Sequence, residues 1–278
     1  MSPDRCWQWM VDNGSDHGEA DMTGVNPTVR REIRDDVAYL TLDAPPVNIL
    51  TAAVMADLSG ALEQCLADRS LKAIALGAAG RAFSAGADVG EHRPEQAPQM
   101  IAGLSRLFRL LGGSELPLVM TVDGAALGAG FELAMMADVL IASDRATFGQ
   151  PEIRLGFFAP VGVAFLARRI GLARAIEVTS TGRTYSAAEM QAMGLVSRLV
   201  PPEQLDETRE AVLTDLRRAS AAVMRMNVRL TRAFAGRPFE EARLDAERVF
   251  LDELMALEDV REGIASFYEK RRPMWRNR

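Results

Sequence analysis

Hydrophobic and polar positions change period along this chain. Up to about residue 160, short apolar runs alternate with stretches of helical spacing. From Val161 onward the helical spacing dominates. Val29–Ile33 and Val37–Leu42 are β-rich and flank Arg34-Asp35-Asp36, which predicts a hairpin. Ala44-Pro45-Pro46 ends the second strand, because proline has no N–H to give to a ladder. Thr51 is placed to cap a helix running to about Ala67, with Val54, Leu58, Leu62 and Leu66 on one face. Leu71–Leu76 reads as a short strand, Gly77–Asp88 as a loop of small residues, and 90–98 as a polar, proline-broken, mobile loop. Gln99–Leu111 has helical spacing again.

The next stretch organises the chain. Pro117 introduces Leu118–Val122, a buried strand. A glycine-rich turn, Gly124–Gly130, follows, and then Phe131–Ala137, the first turns of a buried helix. Val139–Ala142 and Ala146–Phe148 read as further strands. Beyond Val161 the pattern predicts a helical stop at Gly171, a break at Gly182 and a short helix from Ser186 to Met193. Gly194–Val200 ends at Pro201-Pro202, and three amphipathic helices follow to about residue 270. Strands alternating with helices predict an α/β fold whose parallel sheet is joined by crossovers. The organisation expected is a disordered extension over 1–27, a catalytic core over 28–200 and a helical region over 201–278.

Composition narrows the chemistry. A net charge of −6 and a pI near 5.2 argue against nucleic acid or an anionic membrane as the main partner. No apolar run approaches the roughly 18 residues a membrane span needs, and the N-terminus lacks the basic-then-apolar pattern of a secretory signal. Cys6 and Cys65 make no disulfide framework, so both read as free thiols in a reducing compartment, the cytoplasm. His17 and His92 lie far apart and no Cys-x-x-Cys is present, so no metal site is expected.

Two carboxylates interrupt the apolar stretch. Glu132 sits in the buried helix, and Glu152 follows twenty residues later in a Gln-Pro-Glu turn. Apolar surroundings disfavour a charged carboxylate and raise its pKa into the range useful for acid–base work. If the helix starts near Gly128, the first N–H groups have no partner inside it. Ala129 would then offer a donor to a developing oxyanion. Glu132, three residues on, shares its face. The residues alone leave a second reading open, in which Gly128 and Gly130 permit tight packing and Glu132 caps a helix. The loop Arg81–Asp88 could supply another backbone donor or be no more than a tight turn. The basic cluster after Phe267 could grip a phosphate or end a solvated helix. A dinucleotide fingerprint would need glycine where Leu133 stands, and no nucleophile elbow, Walker loop or Cys–His dyad appears.

Taken together in order, these pieces resemble the enoyl-CoA hydratase/isomerase (crotonase) family over residues 28–275. The matching stretches are Ala44-Pro45-Pro46-Val47-Asn48, Ala82-Phe83-Ser84-Ala85-Gly86-Ala87-Asp88, Asp123 through Ala134, and Phe148-Gly149-Gln150-Pro151-Glu152-Ile153. Ser186–Val200 and Arg261-Glu262-Gly263 with Phe267 and Lys270-Arg271 add to them. The resemblance implies an α/β spiral of ββα units with a helical C-terminal trimerisation region, assembled as a homotrimer or a dimer of trimers. It implies an acyl-CoA thioester as substrate, with no separate cofactor. Backbone N–H groups mapping to Ala85 and Ala129 would hold the thioester oxygen, and Glu132 and Glu152 would handle water and protons. Ala87, Asp88, Val89, His92, Phe157, Phe158, Phe267 and Lys270 map to substrate-binding positions. The pair of glutamates points to water addition or removal. A double-bond isomerase, another lyase of the family and a non-catalytic acyl-CoA-binding scaffold are the alternatives. One departure stands out. Typical hydratases follow the second glutamate with a glycine-rich turn ending in Gly-Gly, whereas this chain has Leu155-Gly156-Phe157-Phe158-Ala159-Pro160-Val161-Gly162-Val163. That bulkier segment is most similar to the cyclohexa-1,5-diene-carbonyl-CoA hydratase branch, which implies an alicyclic acyl group.

Overall fold

The computed structural model describes residues 27–277. The extension expected before them, with Cys6 and His17, lies outside the described residues. Strands β1 (Val29–Arg34) and β2 (Val37–Leu42) form the expected hairpin, in register from Val29 opposite Leu42 to Arg34 opposite Val37. After β3 (Ile49–Leu50), helix α1 (Ala52–Ala67) begins at Thr51, whose side chain accepts the Val54 N–H.

Consecutive strands then alternate between two sheets. β4 (Ala73–Ala78), β7 (Leu118–Val122), β9 (Val139–Ser143) and β12 (Arg198–Val200) extend the large sheet, ordered β1-β2-β4-β7-β9-β12. β5 (Ala82–Ser84), β8 (Ala125–Leu127), β10 (Thr147–Gly149) and β11 (Thr184–Ser186) form a second sheet, ordered β11-β10-β8-β5. A short parallel pair joins β3 to β6 (Gly86–Ala87). Each turn of the chain thus lays one strand in each sheet and then a helix. These helices are α2 (Ala97–Gly112), α3 (Ala129–Met135), α4 (Pro160–Ile170) and α5 (Leu172–Thr181). This is the spiral of ββα units that the resemblance implies.

The large sheet is covered on both faces. Ala38, Leu40, Leu42, Ile74, Leu76, Leu118, Met120 and Val122 face the main core. The intervening Val37, Tyr39, Ala73, Ala75 and Val119 face a smaller core closed by Leu205 and Leu213 of α7 (Leu205–Arg217). Burial on both faces is why these strands read as continuous apolar runs rather than as alternating ones.

Several boundaries differ from the expectation. Gly77–Asp88 contains β5 and β6, too short and too rich in small residues to show a period. The stretch read as a mobile loop holds a 3₁₀ turn at Gly90–His92 and the start of α2. α6 (Ala187–Met193) follows Ser186, where a full capping box forms with Glu189. Four helices follow Pro201-Pro202 rather than three: α7, α8 (Ala221–Phe234), α9 (Phe239–Asp252) and α10 (Glu258–Tyr268). The added boundary falls at Gly236-Arg237-Pro238, where proline opens α9.

Candidate active site

The turn from β8 into α3 builds one wall of a deep cavity. Gly128 takes φ 53°, a left-handed value that costs glycine little. A Cβ there would also lie 3.2 Å from Glu152 Oε1, so the bare glycine lets that carboxylate approach. Gly130 seats α3 directly against β5, because a Cβ there would come within 2.6 Å of the Ser84 carbonyl oxygen. Gly86 makes the opposite approach: a Cβ on it would lie 2.8 Å from the Leu127 carbonyl oxygen and 3.4 Å from Ala129 N. The strip Ala85-Gly86-Ala87 and the N-terminus of α3 therefore face each other across one cavity, about 280 Å³ in volume, and Glu132 and Glu152 both line it.

Glu132 is only 1% exposed. Its Oε1 accepts the N–H groups of Val161 and Gly162, both at 2.7 Å. Pro160 opens α4 and has no N–H, so these are the first two donors of that helix. Glu132 does cap a helix, but α4 rather than its own. Burial raises its pKa to about 7, against the lowering effect of the Gly162 and Val161 bonds. Glu152 stands on a 3₁₀ turn, Pro151–Leu155. Burial raises it to about 7 as well; its own backbone N–H opposes the rise and the charge of Glu132 adds to it. Its Oε2 is sealed from solvent with no partner among the described residues. Buried Gln150 leans on the same turn, its Nε2 3.5 Å from the Gly128 carbonyl oxygen.

The rest of the lining is apolar. Val89, Phe157 and Phe158 are exposed around it. His92 lines it too, and its ring lies 5.0 Å from that of Phe157. The Asp88 carbonyl oxygen lies 2.8 Å from His92 Nδ1. A carbonyl only accepts, so Nδ1 is the donor in this contact. Helix α2 supplies Ala97, Met100, Ile101 and Leu104, a wall that sequence reasoning missed. The sequence signal was slight: Ile101 is an apolar residue beside the Met100, Leu104, Leu107 and Leu111 stripe of this helix, and only the structure shows it exposed.

Four expected positions need correction. The Ala85 N–H donates to the Val47 carbonyl oxygen at 3.0 Å, so it is not free for a ligand. Asp88 does not line the cavity; its Oδ1 accepts the Gly90 N–H and shapes the turn that carries His92. Phe267 and Lys270 also lie outside it. Phe267, at the end of α10, is 78% exposed and stacks edge-on against Tyr268. Arg271 beside them is held by Glu262 and Glu269. The structure brings together Glu132, Glu152, Ala129, Ala85, Ala87, Val89, His92, Phe157 and Phe158.

Comparison with known proteins adds to this geometry. Residues 32–278 match the family model described as enoyl-CoA hydratase/isomerase. A cyclohexa-1,5-dienecarbonyl-CoA hydratase of Thauera aromatica is 37% identical over 243 residues, covering 86% of this chain and 92% of that protein. A probable enoyl-CoA hydratase of Mycobacterium bovis is 38% identical over 263 residues, covering 92% of this chain and all of its own length. Among solved structures, an enoyl-CoA hydratase of Mycobacterium smegmatis superposes with a TM-score of 0.84 at 32% identity, covering 90% of this chain and 99% of that one.

Proposed function

This chain belongs to the enoyl-CoA hydratase/isomerase family, and we propose that it adds water to, or removes it from, the conjugated C=C of an enoyl-CoA thioester. The observation that carries this reading is the pair of glutamates in one apolar cavity, both with pKa values near 7. Two close carboxyl groups that repel each other share a proton near neutral pH. One is then a carboxylate that takes a proton from water, and the other is an acid that gives one to carbon.

In the hydration direction the water oxygen bonds to the carbon β to the thioester. The carboxylate takes the water proton, and the π electrons move to the thioester oxygen as an enolate. The neutral carboxyl then gives its proton to the α-carbon and the carbonyl reforms. The Ala129 N–H, unpaired at the start of α3, is the first donor to the enolate. We assign the second to Ala87, the cavity-lining residue whose N–H is held neither by Val47, as that of Ala85 is, nor by Ser84 Oγ, as that of Gly86 is. Coenzyme A enters as part of the substrate, so the reaction requires no resident cofactor or metal.

An alicyclic dienoyl group is the acyl moiety that this wall favours. Phe157, Phe158, His92 and Leu104 form a broad apolar lining, and the relative from Thauera aromatica bears the name of such a hydratase. The exposed apolar side chains of α9 and α10, among them Phe239, Phe250, Leu251, Ile264 and Phe267, support a homotrimer or a dimer of trimers. Such an assembly is the arrangement that would bring Phe267 and Lys270 to a neighbouring cavity. The buried free thiol of Cys65 supports a reducing, cytoplasmic location.

The test is an absorbance assay of pure protein with crotonyl-CoA and cyclohexa-1,5-diene-carbonyl-CoA. Water addition, with the ring substrate preferred, is the expected result. Absence of turnover with any enoyl-CoA would refute the hydratase reading, and double-bond migration without water uptake would replace it with the isomerase.

A further inference from the structure

Buried charges in proteins are normally paired. Among the described residues, Lys72, Glu132, Arg225 and Asp259 are the buried charged side chains. Lys72 pairs with Asp36 at 3.1 Å. Asp259 accepts from Ser220 Oγ and from the N–H groups of Arg276 and Asn277. Glu132 belongs to the active site. Arg225, on α8, is 5% exposed and forms no ion pair among the described residues. Its Nη2 donates to the Asp68 carbonyl oxygen at the end of α1, and its Nε is sealed and unbonded.

Arg225 lines a cavity of about 270 Å³ that also receives Arg69 and Arg229. Among the described residues of that lining Glu115 is the single carboxylate, and it is engaged with Arg69 at 3.2 Å. Arg229 is held at 2.8 Å by Glu253, which is not part of the lining. Asn277 completes the wall; its Oδ1 accepts the Ala221 N–H, and its Nδ2 carries two donors. Three arginines and an asparagine thus line one small space. The other end of α1 meets the turn that carries His92, through the Ala52 N–H and Glu91. Sixteen helical residues, roughly 24 Å at 1.5 Å per residue, separate the two cavities.

We propose that this second cavity is an oxyanion site that takes a phosphate group, with Arg225 as its buried charge and Arg69 and Arg229 as its outer arms. A plainer reading makes Arg225 a cap for α1, since a cation near a helix C-terminus is favourable. That accounts for Nη2 alone. It does not account for the two further arginines in the same lining, of which Arg69 opposes the buried charge while Glu115 and Asp68 support it. Burial, and then the neighbouring charge of Arg69, push the Arg225 pKa down. A bound anion removes that conflict.

The test is calorimetric titration of the full chain with inorganic phosphate against chloride at constant ionic strength. Arg225 also holds the end of α1, so the more exposed Arg229 and Glu115 carry the mutational arms. Saturable binding of one phosphate per chain is expected. Arg229→Gln should weaken it at least about tenfold, the scale of one lost charged hydrogen bond. Glu115→Gln should tighten it by freeing Arg69, a gain that a purely structural role does not produce. Enoyl-CoA turnover should be unchanged in both variants, which separates this site from the hydratase reading. No saturable heat, or equal affinity in all three proteins, would overturn the proposal. So would a changed oligomeric state of Arg229→Gln with unaltered phosphate affinity, which would assign the arginines to a carboxylate of a second copy.

Discussion

Replacing Glu132 by glutamine should make the protein more stable while nearly abolishing its activity. Glutamine keeps the shape and an oxygen to accept the Val161 and Gly162 N–H groups, but it carries no charge to bury. The native pKa of Glu132 is raised from 4.5 to about 7, which at 1.36 kcal/mol per unit corresponds to roughly 3 kcal/mol. The native state holds the proton more tightly than the unfolded chain. The contribution to stability is therefore fully present below the unfolded pKa of 4.5 and is lost as pH rises through about 7. A glutamine does not titrate. The variant should thus match wild type near pH 4.5 and exceed it by up to roughly 3 kcal/mol at pH 8. Urea unfolding of both proteins at matched protomer concentration, followed by circular dichroism from pH 5 to 8, measures the difference. In the same preparation kcat should fall at least about 10²-fold, the scale of general acid–base help. A variant less stable than wild type at pH 8, or a stability difference independent of pH, would refute the burial argument. Near-normal kcat would refute the catalytic one.

The pH dependence of kcat should be bell-shaped with both limbs near 7, and Glu152→Gln should remove one limb and lower the maximum at least about 10²-fold. A two-limbed profile surviving in that variant would contradict the pairing. Gly130→Ala places a Cβ within 2.6 Å of the Ser84 carbonyl oxygen. It should lower stability by about 1–3 kcal/mol, the cost of overpacking, and reduce kcat by shifting Ala129; a thermal melt like that of wild type would show that α3 moves off β5 at little cost. Phe158→Ala, at a side chain 65% exposed, should change stability by less than about 0.5 kcal/mol yet raise KM for the ring substrate more than for crotonyl-CoA. An equal KM change for both would remove Phe158 from substrate selection.

Much of this molecule was legible in its residues, and the legible parts are local. Leu118–Val122 is a strand with the expected bounds, because a five-residue run with four apolar side chains after a proline and before a glycine turn has few alternatives. The Thr51 and Ser186 caps need only neighbours three residues away. An isolated carboxylate in an apolar helix predicts burial and a raised pKa wherever that helix packs. What the tertiary structure decided are the pairings between distant segments. Glu132 meets N–H groups 29 and 30 residues away, which no periodicity encodes. The Ala85 N–H is taken by Val47 from an earlier turn of the spiral, a pairing that its own loop does not encode. Phe267 and Lys270 lie apart from the cavity despite their place in the matching pattern, because α10 leaves them on its exposed end. The buried charge of Arg225 gave no sign at all: an arginine on an amphipathic helix reads as solvated until α1 ends against it. Periods of 2 and 3.6 residues determine which face of an element is apolar. Which faces meet, and which donors are left without a partner, depends on how the whole chain crosses itself.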